Sequence, residues 1–403
     1  MQTQERVGRH AALGIVEEPR RSRHASHARR PRLRRGALVV ISLGCIWLIW
    51  SIVLALTAPG TDSMAAKLAE WGRVHHLGWV ITELEKVQYN LSKPAVGGTV
   101  AGGIPKVGPR TGPASTAPAS QAHHPSRTVS AYALPAPIVP PVANPLPGEG
   151  QWQNLLQVNG HVAAAVAYVR PDSIHTSYLT AVVWMNPKLL RFNLHPGYQV
   201  PGGAPQASDQ LTQSERATVL ATFNSGFQMV DANGGYWQNG TTIKPLRAGA
   251  ASMVITRNGR LLVERWPGGA PPAGIAAVRQ NLVPLIEHGQ ISPLVPNAST
   301  NAWGVTVGNH NYVWRSAVGV RPDGSVLFVL GPALNIQSLA NIMHAAGAVN
   351  AMELDINRDW TSFITYTHPN GQVVPSKLTA AEVASAYRYL QPSSRDFVAV
   401  TPR

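Results

Sequence analysis

From Gly36 to Leu56 the chain reads GALVVISLGCIWLIWSIVLAL, without one charged residue. About 20 such residues, wound as a helix, span a hydrocarbon core of roughly 30 Å. Ten arginines precede the run, with Arg29–Arg35 directly against it, and the first charges after it are Asp62 and Lys67. This asymmetry predicts a basic cytoplasmic tail over 1–35 and a single-pass transmembrane anchor over 36–57 in the cell membrane. The C-terminal remainder is then extracytoplasmic. The rival reading is a cleaved signal peptide. It fits less well, because the run exceeds the usual apolar stretch of about 7–15 residues and no small-x-small site follows. The first partner implied is the lipid bilayer.

The tail's ten arginines less its three glutamates, Glu5, Glu17 and Glu18, supply half of the formal net charge of +14. The basic balance is therefore topogenic and gives no argument for nucleic-acid binding. The only cysteine, Cys45, lies inside the apolar run. An exported domain must then fold without disulfides, thiolate-held metals or a cysteine nucleophile. Arginine far outnumbers lysine and alanine is frequent, the usage of a GC-rich bacterial genome.

Beyond the anchor, Met64, Leu68, Trp71, Leu77, Val80 and Leu84 recur at roughly helical steps and predict an amphipathic stalk helix over 58–91. Such a helix can lie on the membrane surface, pair with a second copy or stand solvated. Residues 92–150 hold VGGTVAGGIPKVGPRTGPASTAPAS and ALPAPIVPPVANPLPG, which lack an apolar period and large side chains. They predict a disordered Pro/Gly/Ala-rich linker. At Gln151 the texture changes to that of a folded domain, 151–403. Asn159-Gly160, Asn258-Gly259 and Asp323-Gly324 each separate two apolar runs and mark hairpins. Leu339, Ile342, Met343 and Ala346 share one helical face that Gly347 ends. Thr379-Ala-Ala-Glu382 reads as a capping box opening a helix over AEVASAYRYL. The fold class expected is α+β, a largely antiparallel mixed sheet with packed helices.

The chain has no GxSxG, HExxH or GxxxxGK[ST] pattern, so acyl transfer, zinc proteolysis and P-loop nucleotide hydrolysis have no support. The pairs His75-His76 and His123-His124 fall in the stalk and linker and read as solvated side chains. Three blocks remain. Ala221-Thr-Phe-Asn224-Ser225-Gly226-Phe227 is a strand ending in a turn that can aim an amide and N–H groups into a cleft. Trp314-Arg315-Ser316-Ala-Val-Gly319-Val320 brings an arginine and a serine into an apolar strand; the bland alternative is an edge strand with Arg315 facing water. Gly347 to Trp360 places Glu353, Asp355, Asn357 and Asp359 around a strand end, where open sheets often bind ligands. Asp355, Asn357 and Asp359 imitate the start of a Ca²⁺ loop. However, Trp360 stands where its glycine should be and Tyr366 where its bidentate glutamate should be. No metal or cofactor is expected, and an irregular Ca²⁺ site at those three residues is the alternative left open.

In this order the three blocks resemble the phosphodiester glycosidase family over about Val162 to Tyr366. Asn224-Ser225-Gly226-Phe227 is similar to the family's Asn-Gly-Gly-Phe turn. Arg315 to Gly319 matches its Arg-(Ser/Thr)-Ala-(Val/Ile)-Gly strand, and Ala351-Met352-Glu353-Leu354-Asp355 its carboxylate strand. The family continues with Gly-Gly-Gly-Ser, whereas this chain has Ile356-Asn357-Arg358, and glycine's freedom at positive φ is lost there. The resemblance implies hydrolysis of sugar-1-phosphodiesters of envelope glycans or polymers. Arg315 is the first choice for clamping the phosphate and Arg247 the second. Asp355 is the carboxylate that acts at the anomeric carbon, with Glu353 as alternative. Asn224, Asn357 and Ser316 complete a substrate-binding set. The reading from another class is a non-catalytic module that binds glycan or cell-wall polymer.

Overall fold

In a computed structural model of the protein, the residues described are 30–111, 133–296, 300–304 and 311–403. The tail up to residue 29, His123-His124 and the middle of the expected linker lie outside them. The described chain divides into two compact units at Leu54. A helix spans Arg30–Leu56, the described part of the first unit and two residues beyond it, and its Gly36–Leu56 stretch is long and apolar enough to cross a membrane.

The second unit is built on three sheets. The largest has nine strands, with Gln153–Val158, His161–Val169, Thr180–Met185, Val326–Leu334, Val313–Val320 and Asn350–Glu353 as consecutive neighbours. Every pairing in it is antiparallel except that of Arg110–Thr111 with Gln153–Val158, so the sheet is mixed and largely antiparallel, as expected. A five-stranded sheet centres on Ala251–Thr256 and Ile275–Gln280. Another five-stranded sheet holds Ala221–Asn224 between Phe363–Thr367 and Phe397–Pro402.

The central strands are apolar at successive positions because both their faces are covered. Val183, Val318 and Phe328 point into a core shared with the smaller sheets, where Phe328 lies 4.8 Å from Phe223 and 5.5 Å from Phe363 between ring centroids. Their neighbours Val182, Ala317 and Leu327 point the other way. They meet Leu339, Ile342 and Met343 of the helix Ile336–Ala345. Asn335 caps that helix and Gly347, at φ +89°, follows its end. All three expected hairpins form, with Gly160, Gly259 and Gly324 in the left-handed region.

Three expectations are corrected. The 58–91 segment is two helices, Met64–Val74 and Gly78–Leu91, because His76 turns left-handed (φ 61°) between them. The described parts of 92–150 are packed on the domain and do not form a free spacer. Ile138 is buried, Ile104 and Val107 pack on the core, and Glu149 sits in a buried ion pair with Arg170 at 2.9 Å. Apolar periodicity misses such a segment because its contacts are non-local and scattered. Lastly, no α-helix forms over 381–390, where only a 3-10 turn, Arg388–Leu390, appears. Glu382 still accepts from Thr379 N, but its other oxygen accepts from Phe363 N, and this bond draws the carboxyl into the core.

Removing one member of a buried ion pair leaves the other charge uncompensated, at a cost of about 3–5 kcal/mol. Glu149→Ala should therefore destabilise the domain by about that amount in urea unfolding, whereas a spacer residue would tolerate it silently.

Candidate active site

The three blocks singled out above come together at one end of the central strands. The bonding between Val313–Val320 and Asn350–Glu353 runs on past the end of the latter strand. Leu354 N donates to Ser316 O and Ser316 N donates to Asp355 O, each at 2.8 Å. The Ser316 hydroxyl accepts from Asp355 N at 3.1 Å and from Asn224 Nδ2 at 2.9 Å. Asn224 Oδ1 in turn accepts from Ser362 N at 3.0 Å. Asn224, Ser316 and Asp355 are thus one buried knot built from three distant parts of the sequence.

Arg315 is not on an edge strand facing water; it is buried, 4% exposed. Its Nη1 lies 2.5 Å from Glu353 Oε1, and its other donors reach Leu334 O and Asn311 O. Glu353 and Asp355, two apart in the chain, therefore have different surroundings. The first is held by Arg315; the second is bonded through its own turn. Asp355 Oδ1 accepts from Asn357 N at 2.8 Å, and Asn357 Oδ1 from Asp359 N at 2.9 Å. These bonds point Asp355 Oδ1 and Asn357 Oδ1 at backbone, and among the described residues no three carboxylate, histidine or cysteine side chains are grouped to hold a metal. Arg247 is exposed and donates to Asn233 O, and none of its hydrogen bonds reaches the knot.

The structure adds residues that sequence reasoning missed. Asn281 Nδ2 donates to Glu353 O and Leu354 O, and its Oδ1 accepts from Phe227 N, which ties the Asn224–Phe227 turn to the carboxylate strand. Gly226 is required there, since a Cβ would stand 2.9 Å from Asn281 Oδ1. Arg279, fully buried, donates through Nε to Asp396 Oδ2 at 2.7 Å, and Ser225 N donates to Asp396 O. Arg388 and Arg395 lie over the Trp360 ring, at 5.4 and 4.4 Å from its centroid. The polar run Ser393-Ser394-Arg395-Asp396, set against an apolar strand, was the signal available for Arg395 and Asp396. Of the ten buried side-chain atoms without a partner among the described residues, six belong to this region: Ser225 Oγ, Glu353 Oε2, Thr361 Oγ1, Arg388 Nε, Arg395 Nε and Asp396 Oδ1. Unsatisfied buried polar groups are costly and gather where a ligand's groups would complete them.

Burial pushes the Asp355 carboxyl up to about 7, against the opposing pull of Arg395, the N–H groups of Asn357 and Ile356, and Arg388. Burial also raises Glu353, opposed by Arg315, and Asp359, opposed by Arg358 and Arg388. A carboxyl that changes charge near neutrality inside a polar cluster suits proton transfer or charge stabilisation.

Residues 217–355 match the phosphodiester glycosidase family, a span that opens just before the Asn224 turn and closes on Asp355. The resemblance drawn from the three blocks is thereby borne out; Arg388, Arg395 and Asp396 lie beyond the matched span. Among solved structures, the chain is similar to a hypothetical protein from Synechocystis, with 15% identity, coverage of 61% of this chain and 63% of that one, and a TM-score of 0.35. It spans less than two thirds of that protein's length. It is also similar to the zebrafish N-acetylglucosamine-1-phosphodiester alpha-N-acetylglucosaminidase catalytic domain, auto-inhibited by its pro-peptide. There the identity is 15%, the coverage 60% of this chain and 82% of that one, and the TM-score 0.38. No curated protein matches the chain.

The raised Asp355 has a stability consequence whose sign is fixed. Between the ordinary value of 3.8 and about 7, the native state holds a proton that the unfolded chain has lost. Stability therefore falls as pH rises through that window and levels off above it. Asp355→Asn should flatten the decline while keeping the fold, as read from urea midpoints at pH 5 and pH 8.

Proposed function

We propose that the domain is a glycosidase that hydrolyses sugar-1-phosphodiesters at the anomeric carbon, held outside the cell membrane by the Gly36–Leu56 helix. The observation that carries this reading is the knot itself. The three blocks of the matched family converge on one buried carboxyl, Asp355, through the Asn224–Ser316–Asp355 hydrogen bonds.

The leaving group in such a reaction is a phosphate monoester, already acidic, so little help is needed from a general acid. The demand falls on a carboxylate that activates water or supports the oxocarbenium-like centre as the bond to the phosphate oxygen lengthens. Asp355 takes that role in its ionised form. Asn224 and Ser316 fix its backbone, and Asn357 holds its side chain and offers its own amide to a sugar hydroxyl. Arg315 and Glu353, engaged with each other, are assigned to positioning the strand end, which removes Arg315 from the part of phosphate clamp.

With a panel of sugar-1-phosphodiesters and the detergent-solubilised full chain, free sugar should be released. Asp355→Asn should lower kcat by about 10²-fold or more with KM little changed. Because the ionised form acts, wild-type kcat should rise with pH through about 7. Binding of the panel without any release of sugar would instead favour the glycan-binding module. Anchoring is tested separately: a cysteine in place of exposed Lys93 should react with an impermeant thiol reagent on intact cells, and reaction only after lysis would reverse the topology.

A further inference from the structure

The helix Gly78–Leu91 carries an apolar face that the fold leaves bare. None of its fourteen residues is buried by the described chain. Trp79, Leu84, Val87 and Leu91 are 72%, 61%, 58% and 86% exposed, and the last three follow one another at steps of three and four, along one side of the helix. The protein holds the other side, through residues four apart. Ile81 packs on Gly72, where a Cβ would stand 3.0 Å from it; Glu85 pairs with Arg73 of the helix Met64–Val74; and Tyr89 Oη donates to Tyr312 O at 2.8 Å. A helix this short is marginal in water and takes its stability from packing an apolar face, so the bare one calls for a cover.

The chain itself brings one. Within the second unit, which begins at Ala55, Lys67 Nζ donates to Leu56 O at 3.4 Å and to Ala58 O at 2.5 Å, holding the end of the apolar helix to the helix Met64–Val74. The connection is bound down as well: Tyr198 Oη donates to Pro59 O at 3.0 Å, and a Cβ at Gly60 would stand 2.4 Å from Pro392 O. Where Gly36–Leu56 spans a bilayer, the headgroup layer beyond its end is roughly 5–8 Å deep. A helix within one lysine's reach of Leu56 starts in that layer, and the Arg73–Glu85 pair keeps Gly78–Leu91 beside it. Charge is not the attraction, because Arg73 is paired with Glu85, Lys86 with Glu83 and Glu70 with Arg395. The bilayer is offered apolar side chains opened by a tryptophan, the residue best suited to the interface.

We propose that Trp79, Leu84, Val87 and Leu91 dock on the surface of the bilayer that Gly36–Leu56 spans, with their side chains in the headgroup and upper acyl layer. The domain is then held against the membrane by two contacts, the span and this face, and does not swing on a single tether. The proposal rests on the reading of Gly36–Leu56 as a membrane span.

The test uses the full chain in phosphatidylcholine vesicles. Cys45 is the only cysteine, so a nitroxide on it reports the span, and in a Cys45→Ala background a nitroxide on Val87→Cys reports the face. The ratio of accessibility to oxygen over accessibility to a water-soluble nickel chelate should be several-fold higher at both positions than on Asp323→Cys. Asp323 is an exposed turn residue at the end of the strand Val313–Val320 remote from Arg315 and Ser316. The ratio at position 87 should not change with added salt, since the contact is apolar. Adding Trp79→Glu should move the probe at position 87 into water while leaving the domain's urea midpoint in detergent unchanged, because Trp79 is exposed. A span probe in lipid with the probe at position 87 in water would overturn the docking alone. Both probes in water would overturn the anchor and the docking together. Exclusion of both reagents from position 87, with spin–spin broadening that dilution by unlabelled chain removes, would mean that the face pairs with a second copy, and would overturn the docking as well.

Discussion

The site depends on an ion pair buried in the middle of the large sheet, Arg315 with Glu353. Two charges taken out of water are tolerated only when further hydrogen bonds satisfy them, and Arg315 finds these on Leu334 O and Asn311 O. The pair therefore fits one strand register, in which Ala317 stands opposite Glu353. A slip by one residue would turn Glu353 to the face opposite Arg315 and strand both charges. With the register held, the chain beyond Glu353 cannot stray. Leu354 and Asp355 stay bonded to Ser316, and a carboxyl is delivered to the end of the sheet with no partner cation within hydrogen-bonding reach among the described residues.

The replacement of three expected glycines by Ile356-Asn357-Arg358 is explained by the same local geometry. None of these residues adopts a positive φ. The turn is made by side chains, with Asp355 and Asn357 each accepting from the backbone two residues on, and Ile356 packs against the Phe227 and Leu282 cluster. Short polar side chains here do the turning that glycine does elsewhere. The departure from the family pattern thus changes how the segment is held while Asp355 keeps its place beside Ser316.

What was legible in the sequence was local. The three Gly-containing turns, the Leu339–Met343 helix face and the Asn224, Ser316 and Asp355 blocks all carry their signal within a few residues. What was not legible depended on distant partners. Glu149 looks like a linker residue until Arg170 is placed beside it, and Glu382 looks like a helix cap until Phe363 N claims it. Arg388 and Arg395 were overlooked for the same reason, since the carboxylates beside them lie more than three hundred residues away in the chain. Arg315 was legible as part of its motif, but its partners were not: Glu353, Leu334 O and Asn311 O come to it only in the fold.

The central claim is that the Asp355 region cleaves the bond between the anomeric carbon and the phosphate oxygen. Hydrolysis of a sugar-1-phosphodiester in ¹⁸O-labelled water, followed by mass analysis of the phosphate monoester released, tests it most directly. Attack at the anomeric carbon leaves that monoester without ¹⁸O, which is the predicted result. Incorporation of ¹⁸O into the phosphate would mean attack at phosphorus, and would contradict the glycosidase assignment.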